Sequence, residues 1–119
     1  MALDSGLLEI KTWRDAGRTV VEVTGEVDAY TAAKLREQLV GLSRGGHHRL
    51  VLDMAAVAFM DSSGLGVLVG AAKRARVGGG EVVIAGAADH ILSVLRITGL
   101  TRVFPIFPTV AEALSAVAA

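Results

Sequence analysis

Apolar residues fall along the chain in blocks whose spacing changes from one block to the next. Residues 7–13 and 18–24 are short β-type runs, and Arg14-Asp15-Ala16-Gly17 between them carries the Asp and Gly that favour a turn. Together they predict a hairpin. From Thr31, a good N-cap, Ala32, Leu35, Leu39 and Leu42 recur at helical spacing until Gly45-Gly46 stops the pattern. Leu50-Val51-Leu52 is apolar at consecutive positions, which suits a central strand covered on both faces, and this strand is expected to end at Asp53. Leu65, Leu68, Val69 and Ala72 mark one stripe of a second helix that stops near Gly78-Gly79-Gly80, with Arg74 on the opposite face. Residues 82–85 read as a further strand. Ile91, Val94 and Leu95 share a face of a third helix, and Gly99 is placed to cap its C-terminus. Phe104-Pro105-Ile106 adds a short strand that must be irregular or lie at an edge, because Pro105 has no N–H for a ladder. Thr109 and Glu112 read as a capping box before a last helix with the stripe Val110, Ala113, Leu114 and Val117.

The order β-β-α-β-α-β-α-β-α predicts a single α/β domain over residues 1–119, with a mixed sheet of about five strands and about four helices. The opening hairpin must be antiparallel, whereas helical crossovers favour parallel neighbours among the later strands. Trp13, lying in a strand with no second aromatic beside it, is assigned to packing.

Composition changes the picture mainly by exclusion. The hydrophobic fraction is 52%, yet no apolar run approaches the roughly 20 residues of a membrane span. Twelve basic and twelve acidic residues balance, which removes the long-range attraction that dominates nucleic-acid affinity. With no cysteine, disulfides, thiolate catalysis and thiolate zinc sites are excluded. The start, Met1-Ala2-Leu3-Asp4-Ser5, lacks the basic-then-apolar pattern of a secretory signal. The expectation is a cytoplasmic protein without direct contact to nucleic acid or membrane.

The segment Phe59-Met60-Asp61-Ser62-Ser63-Gly64-Leu65-Gly66 carries the most chemistry, because two hydroxyls stand where a helix begins. There Asp61, Ser62 and Ser63 either only satisfy free N–H groups, or a hydroxyl accepts a phosphate, whose charge a helix N-terminus tolerates. A serine nucleophile would need a base, and His47-His48 lies in a polar Gly-Gly-His-His-Arg turn, where solvated or capping roles are favoured. The Gly-x-Ser-x-Gly elbow of many hydrolases is also missing. Gly64, Gly66 and Gly70 have the wrong spacing for a dinucleotide site. On a helical wheel Gly66, Gly70, Lys73 and Val77 flank the core face, which fits either a close-approach docking surface or relief of crowding inside the domain. Gly25-Glu26-Val27-Asp28 holds two carboxylates with no accompanying ligand cluster, and turn formation is the simpler role. Asp53 is a further candidate to support the Asp61-Ser62 region, from the C-terminal end of its strand.

Four segments in order, Gly25-Glu26-Val27-Asp28, Val51-Leu52-Asp53-Met54, residues 60–66 and Ile97-Thr98-Gly99-Leu100, resemble the bacterial anti-sigma factor antagonists of the STAS family over nearly the whole chain. The resemblance implies a non-enzymatic, cofactor-free switch. The unphosphorylated antagonist binds an anti-sigma factor that is also a serine kinase and frees a sigma factor; ATP belongs to the kinase. Phosphorylation of the first serine, here Ser62, weakens the complex, and a metal-dependent serine phosphatase reverses it. Both hydroxyls are present, so Ser63 stays open as the acceptor, and the preference for Ser62 rests on the resemblance. Asp28 and Asp61 match acidic positions near the docking surface, to which Ser62, Ser63, Gly64, Gly66, Gly70 and Lys73 are also assigned. A STAS scaffold or ligand-sensing domain without phosphorylation, and a small hydrolase using Ser62, are the competing functions.

Overall fold

The hairpin closes through a two-residue loop in which Ala16 and Gly17 both take positive φ, 52° and 76°. That geometry matches the right-handed twist of the strands it joins, and Gly17 adopts it without strain. The computed structural model describes residues 8–118, so Leu7 of the expected first strand and the side chain of Val117 lie outside the described residues. Strand β1 (Glu9–Asp15) runs antiparallel to β2 (Arg18–Val27). Beyond it, β3 (Arg49–Met60), β4 (Glu81–Ala85) and β5 (Ile106–Phe107) each join the preceding strand in parallel, giving the order β1-β2-β3-β4-β5. Helices α1 (Ala32–Arg44), α2 (Ser62–Val77), α3 (Asp89–Ile97) and α4 (Val110–Ala118) complete a five-stranded mixed sheet with four helices. Among the described residues no helix is long and apolar enough to cross a membrane.

The consecutive apolar residues of β3 are divided between two cores. Leu50 and Leu52 join Val21, Val82 and Ile84 on the face covered by α1, α2 and α3. Val51 points the other way, aligned in register with Val20 and Val83, under Ala113 of α4. Both sides of the strand are therefore dry, as its unbroken hydrophobicity requires. Pro105 offers only its carbonyl, which accepts from the Ile84 N–H at 2.9 Å, and β5 is a two-residue edge strand. The Thr109 hydroxyl accepts from the Glu112 N–H at 3.1 Å, as a capping residue should. Gly99, with φ 78°, ends α3 and leads into a short 3₁₀ turn, Leu100–Arg102.

Several expectations are corrected. Strand β3 does not end at Asp53 but continues to Met60. Its register with β2 shifts twice, and at each shift β3 advances one residue more than β2. These bulges space the inward residues Met54, Val57 and Met60 three apart, so the period of two that marks a strand is lost. Thr31 does not cap α1 with its side chain; its hydroxyl turns back and donates to the Glu26 carbonyl at 2.7 Å. Val94 is 37% exposed while Ile91 and Leu95 are buried. Trp13 is 42% exposed beside Val20 at the edge strand and does not belong to the core. Arg74 does not face solvent: it is half-buried, and its Nε and Nη2 atoms are shielded without a hydrogen-bond partner among the described residues.

Candidate functional site

Because β2 and β3 are parallel neighbours, the loops that follow them leave the sheet at the same edge. Their last paired residues are Val27 and Met60, and the Asp61 N–H donates to the Val27 carbonyl at 3.0 Å. The two bulges in β3 are what set Asp61 beside the end of β2. Asp28 and Asp61 thus start adjacent loops, although more than thirty residues separate them in sequence.

Each carboxylate is held by backbone. One oxygen of Asp28 accepts from the N–H groups of Tyr30 and Thr31, at 2.9 and 3.0 Å. Hydrogen bonds from Thr31 and then Tyr30 hold this carboxyl below the ordinary carboxylate value, outweighing the opposing effect of its partial desolvation. Its folded state therefore favours the ionised form, and the resulting stabilisation is complete above the unfolded value, near 3.8, and is lost as pH falls through the lower folded value. We expect the stability gap between the native chain and Asp28→Asn to shrink in that acid window, a result that denaturant titrations at stepped pH would read directly. A gap that is unchanged on acidification would show that the turn is indifferent to the charge.

Asp61 is the N-cap of α2. Its backbone is extended and its carboxylate accepts from the Ser63 N–H at 2.8 Å and the Gly64 N–H at 3.4 Å. Of the three side chains expected to satisfy free N–H groups, Asp61 takes the capping role, which leaves the serines free for other work. Ser62, the first residue of the helix, is exposed, whereas Ser63 is half-buried. An exposed oxygen at the first helical position lies in the positive end of the helix dipole, where added negative charge is favourable.

The glycines of α2 divide in the same way. A Cβ on Gly64 would lie 2.7 Å from both Met60 Cγ and Val27 Cγ1, so this glycine is required by packing at the sheet edge. A Cβ on Gly66 would meet nothing within 4 Å, and one on Gly70 only the tip of Arg74, at 3.4 Å. Crowding inside the domain therefore explains Gly64 and leaves Gly66 unexplained. Gly66, Gly70, Lys73 and Val77 run along one outer stripe of the helix, on which Val77 is 91% exposed.

Asp53 is not part of this site. It precedes Asp61 by eight residues, on the order of 20–25 Å along the strand, and accepts from the Ala55 N–H at 3.1 Å. Among the described residues no histidine is bonded to Ser62: His90 Nε2 lies 3.0 Å from the Ala58 carbonyl, and His47 Nδ1 accepts from Arg14. Two aromatic residues have no role in the sequence reading, Tyr30 and Phe59. Tyr30 is 92% exposed on the Asp28 turn and Phe59 46% exposed just before Asp61. A tyrosine in the short turn between Asp28 and Thr31 was the available signal for the first of them.

Residues 9–113 match the STAS domain family. The chain is 40% identical over 99 residues to the anti-sigma-B factor antagonist of Listeria monocytogenes, an alignment that covers 83% of this chain and 86% of that one. Its fold superposes on the crystal structure of an anti-sigma factor antagonist from Mycobacterium paratuberculosis with a TM-score of 0.85 and 30% identity, covering 97% and 96% of the two chains. It is also similar in fold to the antagonist SpoIIAA in its unphosphorylated form (TM-score 0.79, 19% identity, 92% and 96% covered) and in its phosphorylated form (0.74, 20%, 92% and 99%). On family match, sequence identity and fold alike, the chain belongs to the STAS domain family, alongside the anti-sigma factor antagonists.

Proposed function

We propose that the chain is a non-enzymatic anti-sigma factor antagonist whose switch is a phosphate on Ser62. The observation that carries this reading is an exposed hydroxyl at the first position of α2, next to a cap that does not need it. In its unphosphorylated form the chain binds an anti-sigma factor with serine kinase activity and thereby frees a sigma factor. The kinase brings the ATP, and a metal-dependent serine phosphatase resets the switch. Phosphate adds about −1.5 to −2 charges at neutral pH. Asp28 and Asp61 flank the place where it arrives, so a surface that already presents two carboxylates becomes strongly anionic toward a partner laid over it. The helix end favours that charge, and the domain need not unfold to accept it. SpoIIAA, which shares the fold, has been solved in both forms.

Gly66 allows a partner backbone to lie close against α2, while Tyr30 supplies exposed aromatic area on a turn fixed by two hydrogen bonds. Exposed tyrosines on rigid turns are common anchors of binding energy. Tyr30→Ala is expected to weaken the complex by about tenfold to a hundredfold without lowering thermal stability; equal affinities in surface-plasmon measurements would remove Tyr30 from the interface.

The function as a whole is tested by capturing the chain's partner and incubating the two with ATP. A histidine-kinase-like ATPase that phosphorylates Ser62 or Ser63 supports it. A stable complex that incorporates no phosphate points to the scaffold reading, and labelling of Ser62 by a covalent serine-directed probe points to the hydrolase.

A further inference from the structure

The end of the sheet opposite Ser62 carries a feature the switch does not use. Strands β2, β3 and β4 begin there, and the hairpin loop, the turn after α1 and the glycine run after α2 close around a cleft of about 220 Å³. Arg14, His47, His48 and Arg49 line it, with glycines and Thr19 as the remaining residues, and no carboxylate is among them. Glu81 lies in the neighbouring recess with Arg18 and Arg49. In a chain whose charges balance overall, this is a local surplus of positive charge in a concave wall.

The cleft is built by the backbone. A Cβ on Gly78 would fall 2.3 Å from His48 Cγ, and one on Gly80 1.9 Å from the His48 carbonyl oxygen, so only glycine lets this run lie against His48. Gly46 and Gly79 both hold positive φ, at 85° and 84°, which turns the chain sharply at the rim. The Arg14 guanidinium donates from Nη1 to His47 Nδ1 at 3.1 Å, which steadies it across the opening. His48 Nδ1 is shielded from solvent and has no hydrogen-bond partner among the described residues.

We propose that this cleft binds a phosphate-type dianion, either free or as the terminal group of a small phosphate ester. A guanidinium presents paired N–H donors that match a tetrahedral oxyanion, and Arg14 and Arg49 bring two such groups to this wall; the N–H groups of Gly46, Gly79 and Gly80 are engaged with the carbonyls of Ser43, Arg76 and Ala75, so recognition falls to the side chains. The volume exceeds that of the ion alone and leaves room for a short organic tail. It is too small for a nucleic-acid strand.

The test is a ¹H–¹⁵N NMR titration of the full chain with inorganic phosphate and, separately, with glycerol phosphate, against sodium chloride at matched ionic strength. Saturable shifts at the amides of Gly46, His48 and Gly79 are expected, with affinity falling by about tenfold or more in the Arg14→Ala/Arg49→Ala chain. Both arginines are exposed, so the spectrum of that variant should be preserved outside the His47 turn, which loses its bond to Arg14. Tighter binding of the ester assigns the tail to the cleft, and equal binding assigns the free ion. Shifts that sodium chloride reproduces, shifts gathered instead at Ser63 and Gly64, or shifts indifferent to the arginine substitutions would overturn the proposal.

Discussion

Phosphate placed on Ser62 should lower the affinity for the anti-sigma factor by about a hundredfold or more, equivalent to roughly 2.7 kcal/mol. The size follows from where the charge lands. Ser62 is exposed, so its phosphate would meet the partner instead of being absorbed by this domain, and the neighbouring Asp28 and Asp61 are acceptors already engaged with backbone N–H groups. Neither can neutralise it. Folding stability should change far less than affinity, because the dipole of α2 favours negative charge at its first turn. Calorimetric titration of the phosphorylated and unphosphorylated chains, with their melting temperatures, separates the two effects. Ser62→Ala should bind the partner and take up no phosphate. If instead Ser62→Ala is still phosphorylated and still switches, while Ser63→Ala does not, the acceptor is Ser63 despite its half-buried position. Equal affinities for the phosphorylated and unphosphorylated chains would mean that charge is not the gate.

Much of this geometry could be read from the residue pattern, and what escaped has a physical cause. The two dry faces of β3 were visible because Leu50-Val51-Leu52 has no polar interruption, and the register with Val20 and Val83 bears this out. The rest of β3 was hidden by its bulges. Each inserts one residue, so Met54, Val57 and Met60 lose the alternation by which a strand is identified. That error propagated to Asp53, which a shorter strand would have placed at the site and the longer strand removes from it. Asp28 and Asp61 were named from their sequence segments, but their adjacency depends on parallel pairing and on the bulges, which no local pattern encodes. Thr31 illustrates the converse. Its type and position suit a helix cap, but its hydroxyl is drawn away, donating to the Glu26 carbonyl and accepting from the Asp28 N–H.

Gly64 and Gly66 stand two residues apart on one helix, and substituting each by alanine should produce opposite results. Alanine at Gly64 forces a methyl group against Val27, a buried β-branched residue with little freedom to move, and against Met60. Overpacking of this kind costs about 1–3 kcal/mol, and the gain of roughly 1 kcal/mol in helix propensity offsets only part of it. Because Val27 and Met60 are also the last register pair before Asp28 and Asp61, the strain should loosen the site as well as the fold. At Gly66 the new methyl group meets no atom, so only the propensity gain remains and the melting temperature should rise by a few degrees. Partner affinity is where Gly66→Ala should fail, by about tenfold, if a second backbone packs against that stripe. A stabilised variant that binds worse would identify Gly66 as a residue kept for the partner and not for the fold. A stabilised variant with undiminished affinity would move the docking surface off this face of α2 and toward the Asp28 and Tyr30 turn.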